Sequence, residues 1–123
     1  MALNSRRKGK NGELEAAKFL RDLFGWVCGR TQQHCGTADS ADLRVEQTPQ
    51  LWWEVKRNER LNVTKAMEIA ISQSGRRTPV LMHRRSRSEW LLTIRVTDLP
   101  VLCHAYENAE TVQMATSALS PET

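Results

Sequence analysis

Residues 51–56, LWWEVK, are the stretch that most restricts how this chain can fold. Side chains of a β-strand alternate between its two faces. An extended segment here therefore has one purely apolar face, while the opposite face carries Glu54 and Lys56 beside Trp52. An acid and a base on one face of a strand indicate either an exposed ion pair or the edge of an active site.

The spacing of apolar residues predicts the other elements. Residues 11–24 have a helical stripe of apolar positions, which Gly25 ends, and Glu13 falls within that stripe. A carboxylate on the core side of a helix is costly unless another group compensates it. The stripe of this helix is Ala16, Ala17, Leu20, Leu23 and Phe24, and that of a second helix is Val63, Ala66, Met67 and Ala70. The first helix is predicted over 11–24 with Asn11 and Gly12 as its cap, the second from Asn62 or Thr64 to Ser74 with Gly75 as its stop, and the third over 98–106. The predicted strands are 26–30, 42–46, 51–56, 79–85 and 90–96, the last two forming a hairpin.

This order of elements predicts an α/β fold with a mixed five-stranded sheet flanked by helices. The 123 residues suit one domain, with residues 1–10 as a flexible basic arm and about 107–123 as a weakly ordered tail. No stretch approaches the ~18 apolar residues of a membrane span, and the N-terminus lacks the apolar stretch of a signal peptide. We therefore expect a cytoplasmic protein with no membrane partner.

Basic residues are unevenly distributed along the chain. Residues 1–96 hold all 18 Lys and Arg against 10 acids, a surplus of eight, whereas residues 97–123 hold four acids and no base. Basic clusters occur at 6–10, 56–60, 76–77 and 84–87. Several basic clusters on a small domain favour a polyanionic partner, most simply nucleic acid. The alternative is a solvated, soluble surface.

The cysteines and histidines favour no special chemistry. Three cysteines without a CxxC pair do not form a disulfide framework. The spacing of the His and Cys residues fits no usual zinc pattern. Cys28 and Cys103 are interpreted as small core residues.

Two acids are expected to meet in the sheet. If the second and third strands pair as a hairpin, Asp42 comes close to Glu54. Two close carboxylates repel each other, and one takes up a proton unless a cation lies between them. Carboxylate oxygens suit Mg²⁺ or Mn²⁺, and Lys56 would reach the same cavity. A divalent ion beside an ammonium group is suited to phosphodiester hydrolysis.

An upstream helical Glu, then Asp, then Glu-x-Lys resembles the PD-(D/E)XK nuclease superfamily. Here the motifs read GELE (12–15), SADL (40–43) and EVK (54–56). A larger part of the chain, roughly residues 8–100, resembles the phage and prophage Holliday junction resolvase-like nucleases. That wider resemblance lies in GKNGELEAAKFLR (9–21), RTQQHCG (30–36), DSADL (39–43), EVKRNERLN (54–62) and PVLMHRRSRSEWLLT (79–93).

The resemblance implies a restriction-endonuclease-like core and a metal-dependent homodimer that cuts branched DNA such as four-way junctions. Asp42 and Glu54 would hold Mg²⁺, or Mn²⁺ in its place, with help from the Val55 carbonyl. Lys56 would be the catalytic lysine, and Glu13 would complete the metal shell directly or through water.

Candidate DNA contacts come from the basic clusters and from the resemblance. They are Arg7, Lys8, Lys10, Arg30, Gln33, Arg57, Gln73, Arg84 and Arg85. The arginines at 84–87 can instead be a solvated hairpin tip, and the four tryptophans can be core residues or base-stacking platforms.

The chain departs from the family pattern at two positions. Ala41 stands where the motif often has Pro, which mainly stiffens the chain. Ile69 stands where the second helix tends to carry a Gln facing the site; Gln73, one turn later, can replace it. The alternative function is a non-catalytic DNA-binding accessory protein that retains the nuclease fold.

Overall fold

The computed structural model describes residues 2–31 and 41–119, and the side chains of residues 9–31 and 41–109. Over these ranges the chain alternates between helices and short strands. In chain order the elements are α1 (Ala2–Phe24), β1 (Cys28–Arg30), β2 (Leu43–Val45), β3 (Leu51–Arg57), α2 (Val63–Ser74), β4 (Thr78–Arg84), β5 (Leu91–Thr93), a 3-10 turn (Val96–Asp98) and α3 (Leu99–Leu119).

The strands form one sheet in the order β1-β2-β3-β4-β5, so that β3 is central. β3 pairs antiparallel with β2 and parallel with β4, and the outer pairs β1–β2 and β4–β5 are antiparallel. The parallel pair follows from α2, because parallel neighbours need a crossover connection. The predicted α/β fold with a mixed five-stranded sheet flanked by helices is therefore confirmed, as are the hairpins β2–β3 and β4–β5.

The alternation predicted for β3 is also confirmed. Its odd-numbered residues 51–55 join a core formed with α1 and α3. On the opposite face, Leu81 of β4 lies beside Glu54 and packs against Ala66 and Met67 of α2. Because helices cover both faces, residues 51–55 are all buried.

Three tryptophans belong to the core. Trp26, Trp52 and Trp53 are buried, and the Trp53 Nε1–H donates a 3.0 Å hydrogen bond to Thr48 Oγ1. Trp90 is partly buried, with the guanidinium of Arg84 5.6 Å from its ring centroid. Packing therefore explains these rings, and the base-stacking interpretation fails for the three buried ones.

The first helix begins earlier than predicted. It starts at Ala2, so residues 2–10 are helical rather than a separate arm. Gly12 lies inside this helix rather than at its cap; it is buried, and an added Cβ there would lie 2.7 Å from the Cβ of Arg57. A glycine at this position allows α1 to approach β3 closely. Ala16, Ala17 and Leu20 are buried as predicted, whereas Leu23 is exposed near the helix end.

The last helix is longer than predicted. It continues from Leu99 to Leu119, well past Tyr106 and through most of the predicted tail. Ala105 and Ala109, one turn apart, are fully buried against the core and extend its packing beyond Tyr106. Cys103 is exposed, so its prediction as a core residue was wrong, while Cys28 is buried. Within the described residues, no helix has the length and hydropathy that a membrane crossing requires.

Local signals determine the ends of α2. Asn62 is the N-cap, and its side chain accepts a 3.0 Å hydrogen bond from the Lys65 amide. Gly75 follows the last turn with a φ of 59°, which favours glycine. Of the two predicted starts, Asn62 and Thr64, the structure therefore has Asn62, and the predicted stop at Gly75 is confirmed.

The two glycines of α1 give a matched test of helix packing. Gly12→Ala should lower the free energy of unfolding by about 1–3 kcal/mol, because the new methyl group overlaps Arg57. Gly9→Ala meets no atom of the described residues within 4 Å and should raise the free energy of unfolding by up to about 1 kcal/mol, because alanine favours helix. Urea unfolding of both variants checks this, and a Gly12→Ala protein as stable as Gly9→Ala would contradict it.

Candidate active site

The hairpin of β2 and β3 brings Asp42 to the sheet next to Glu54. Leu43 pairs with Trp53, which places Asp42 opposite Glu54 in the antiparallel register. The Asp42 amide donates to the Trp53 carbonyl at 2.9 Å, and the Val55 amide donates to Asp42 Oδ2 at 2.9 Å. Both backbone and side chain of Asp42 are therefore fixed to the central strand.

Glu54 is a buried acid with one neutral donor. It is only 8% exposed, and the Trp52 Nε1–H donates a 2.7 Å hydrogen bond to Glu54 Oε1. The pKa of Glu54 is raised to about 7, chiefly by burial and further by the charge of Asp42 and a hydrogen bond between the two carboxyl groups. The Trp52 donor and the charge of Lys56 oppose it. A substantial fraction of Glu54 is therefore protonated at neutral pH.

Glu13 approaches the same point from α1. Its side chain is 14% exposed, and the Arg30 Nε–H of β1 donates to Glu13 Oε2. Burial, the charge of Asp42 and a hydrogen bond to Asp42 raise the pKa of Glu13, while Arg30 lowers it. Asp42 is thus in contact with both Glu13 and Glu54, and we call these three residues the Asp42 cluster.

Lys56 completes the predicted set. Strand alternation places it on the same face of β3 as Glu54, and its charge acts on Glu54. In the parallel register Lys56 lies beside His83 of β4. The His83 Nε2 atom lies 2.8 Å from Thr93 Oγ1, and burial lowers the pKa of this imidazole.

The donor chemistry of the Asp42 cluster fits a hard divalent cation. Burial and, after it, the charge of Asp42 raise the pKa of Glu13 and Glu54, and a cation would remove the repulsion between the carboxylates. Among the described residues, however, no three His, Cys, Asp or Glu side chains converge on one metal position. Arg30 engages Glu13, so Asp42 and Glu54 are the better-matched pair of ligands. Val55 contributes its amide to Asp42, and a role for its carbonyl stays a prediction.

The predicted DNA contacts fall into three groups: arginines in ion pairs, exposed side chains, and residues outside the described ranges. Arg30 is paired with Glu13, Arg57 with Glu15 and Glu59, and Arg84 with Glu15. The side chains of Lys10, Gln73 and Arg85 are exposed. Gln33 and the side chains of Arg7 and Lys8 lie outside the described residues.

The α2 position that departs from the family pattern faces outward. Ile69 and Gln73 are both exposed, whereas the covered side of α2 consists of Ala66, Met67, Ala70 and Ser74. Within the described part of the chain, Gln73 makes no hydrogen bond to the Asp42 cluster. Its proposed replacement of the expected Gln stays a prediction.

Sequence reasoning missed several partners of the site. Trp52 was identified only as an aromatic neighbour, although its position two residues before Glu54 on one strand face could have indicated the hydrogen bond. Glu15 was not singled out, yet it pairs with both Arg57 and Arg84. No local sequence signal indicates the ion pairs of Glu15, because its two partners lie far from it in sequence.

A separate apolar groove lies on the α1 and α3 side of the sheet. Its volume is about 450 Å³, and its walls include Phe24, Trp26, Leu102 and Tyr106. No member of the Asp42 cluster lines it. Its walls are mainly apolar side chains, so the Asp42 cluster is the better candidate for catalysis.

Comparison with known proteins identifies no relative. No family profile, no curated protein and no solved structure matches this chain.

The raised pKa of Glu54 predicts a pH-dependent stability. The pKa of Glu54 rises from 4.5 to about 7 on folding, so the folded state binds its proton more tightly than the unfolded state does. The resulting contribution to the free energy of unfolding is fully present below pH 4.5 and is lost as the pH rises through 7. In chelator, the free energy of unfolding should therefore fall by about 3 kcal/mol more in wild type than in Glu54→Gln between about pH 4.5 and 8.

Urea unfolding at several pH values measures this difference. Gln can keep the Trp52 hydrogen bond and can also donate to Asp42, so Glu54→Gln should fold. Glu68→Gln, at an exposed position on α2, is the matched control and should follow wild type. Equal pH profiles for wild type and Glu54→Gln would show that Glu54 does not titrate abnormally.

Proposed function

We propose that this protein is a divalent-metal-dependent DNA endonuclease of the PD-(D/E)XK type, similar to the phage Holliday junction resolvases. The observation that carries the proposal is the contact of Asp42 with both Glu13 and Glu54, beside Lys56. These are the four residues that the motif resemblance assigns to catalysis. The proposal is further supported by the order of elements, in which a helix precedes a three-strand meander and α2 leads to a parallel strand.

Each residue of the site has a proposed role. Asp42 and Glu54 would hold Mg²⁺ or Mn²⁺, and Glu13 would join them directly or through water. When bound, the ion would supply Lewis acidity to the phosphodiester and acidify the attacking water. Lys56 would orient that water or stabilise charge on the phosphate. The Val55 amide holds Asp42 in place, and Trp52 holds Glu54.

Charge supports DNA as the substrate. The chain has a surplus of basic residues. Several bases are exposed on the described surface: Lys10, Arg60, Arg76, Arg85 and Arg87. Contacts of such side chains with phosphates supply most sequence-independent affinity for DNA. A preference for four-way junctions rests on the motif resemblance.

A non-catalytic DNA-binding accessory protein is the second candidate. Two observations favour it: Arg30 is already paired with Glu13, and Ile69 stands where the related nucleases tend to carry Gln. Such a protein would bind DNA in a salt-sensitive manner without metal-dependent turnover.

A cleavage assay separates the two candidates. A labelled four-way junction and a linear duplex are incubated with Mg²⁺, with Mn²⁺ and with chelator. We expect metal-dependent cutting that falls by about a hundredfold or more in Asp42→Asn, Glu54→Gln and Lys56→Ala. Loss of a metal ligand, or of the ammonium group that stabilises charge, costs several kcal/mol of transition-state stabilisation. Lys65→Ala, an exposed lysine on α2, should cut like wild type.

The remaining outcomes are equally informative. Cleavage retained in purified Asp42→Asn would eliminate the proposed site. Tight binding without cutting in either metal would favour the accessory protein. Cutting of both substrates at similar rates would indicate a general nuclease rather than a junction-selective one.

We also propose a homodimer, because paired cuts across a near-twofold junction need two sites at a fixed separation. The sequence offers two candidate interfaces, the apolar surface near Trp52 and that near the last helix, and Trp52 itself is buried within its own chain. The remaining candidate surface is apolar and surrounds the start of α3. Its exposed members include Leu91, Leu92, Val96, Leu99 and Tyr106.

Light scattering tests the dimer. Wild type should give twice the 14.1 kDa chain mass, and Val96→Glu should shift it to the monomer because it places a charge on the apolar surface. Ile69→Glu, an exposed apolar position on α2, is the control and should leave the mass unchanged. A wild-type monomer at assay concentrations would contradict the proposal.

A further inference from the structure

An acidic side chain fills a set of hydrogen-bond donors between the end of β3 and the turn that follows β4. The Ser86 amide donates to Glu59 Oε1 at 3.1 Å and to Oε2 at 3.3 Å, and the Ser86 hydroxyl donates to Oε1 as well. The Arg57 Nη1 atom lies 3.5 Å from Glu59 Oε1 and 3.4 Å from Ser86 Oγ. A backbone amide, a hydroxyl and a guanidinium therefore surround one carboxylate.

The exposure of Glu59 makes this arrangement unusual. Its side chain is 62% exposed, and an exposed carboxylate gains little from an ordinary ion pair. The hydrogen bonds from Ser86 nevertheless lower the pKa of Glu59. The same kinds of donor bind the phosphates of nucleic acids, where backbone amides, hydroxyls and arginines provide most backbone contacts.

The turn that carries Ser86 has a defined shape. The Ser88 amide donates to the Arg85 carbonyl at 3.2 Å, and Arg85 Nε donates to Ser88 Oγ at 3.3 Å. Arg87 has a φ of 60°, a left-handed conformation that residues other than glycine rarely adopt. These contacts close the turn around the Ser86 amide, so the donors are arranged before any ligand binds.

The surroundings of this site are basic. Arg57 ends β3, and strand alternation places its side chain on the face of the strand opposite Glu54. Exposed Arg60, Arg85 and Arg87 belong to the same two segments as Arg57 and Ser86. Their positive charge favours the backbone of a nucleic acid as the anion that these donors bind.

We propose that the Ser86 amide, the Ser86 hydroxyl and the Arg57 guanidinium form a binding subsite for a backbone phosphate of DNA, which Glu59 occupies in the free protein. This rests on the proposed function in DNA cleavage. A phosphate that enters the subsite displaces the Glu59 carboxylate, because two anions do not share the same donors. Glu59 therefore weakens DNA binding, and its removal strengthens it.

DNA binding in chelator tests the subsite without cleavage. Fluorescence anisotropy on a labelled duplex and a labelled junction compares wild type with Glu59→Ala and Glu89→Ala. Glu89 is an exposed acid near the same turn with no hydrogen bond to Ser86, so it matches the change in charge. We expect a Kd three- to tenfold lower for Glu59→Ala and less than twofold lower for Glu89→Ala.

A second substitution separates the effect of the Ser86 hydroxyl on DNA affinity from the effect of net charge. Adding Ser86→Ala to Glu59→Ala removes the hydroxyl, and we expect it to reduce the gain in affinity to twofold or less. Equal gains for Glu59→Ala and Glu89→Ala, or a gain that survives Ser86→Ala, would overturn the subsite.

Inorganic phosphate tests the same donors independently of DNA. In Glu59→Ala, the Ser86 amide resonance should shift on phosphate titration, and the shift should be weaker in wild type. The subsite would be refuted, while the proposed function stands, if the protein cuts the junction but two results are negative. These are no shift of the Ser86 amide resonance with phosphate and no gain in DNA affinity in Glu59→Ala. A phosphate shift in a protein that neither binds nor cuts DNA would refute the proposed function and the assignment to DNA, leaving a subsite for free phosphate.

Discussion

The contact of Asp42 with two other acids is the interaction on which the site depends. Its carboxylate is held by the Val55 amide and its backbone by the Trp53 carbonyl, so it cannot move away from Glu54 without breaking the hairpin pairing. Burial and repulsion raise the pKa of Glu54 and Glu13. Trp52 and Arg30 offset only part of this cost. Such a costly arrangement is characteristic of a functional site.

The central strand supplies both the core and the chemistry. One face of β3 fills the main hydrophobic core, and the other places Glu54 and Lys56 in line. Gly12 lets α1 approach that strand closely enough for Glu13, the next residue, to contact Asp42. Glu15, one turn on from Gly12, pairs with Arg57 and Arg84 and ties α1 to the ends of β3 and β4. The packing of α1 on β3 therefore both stabilises the sheet and determines the geometry of the site.

The sequence allowed prediction of features with local signals. The alternation in 51–56, the Asn62 cap and the stop at Gly75 each depend on neighbouring residues, and each is confirmed. The extent of α1 and α3 depended on tertiary packing of Gly12, Ala105 and Ala109, and small residues give weak periodic signals. The meeting of Asp42 with Glu54 was predicted from hairpin pairing. The ion pairs of Arg30, Arg57 and Arg84 were not, because their partners are distant in sequence.

The most direct test is titration with Mn²⁺ followed by calorimetry, on wild type and Asp42→Asn at about pH 7. We expect saturable binding to wild type, with release of protons from the acids whose pKa is raised, and its loss in Asp42→Asn. Lys65→Ala should bind like wild type. Equal Mn²⁺ binding by wild type and Asp42→Asn, or no binding by wild type, would contradict a metal site at the Asp42 cluster.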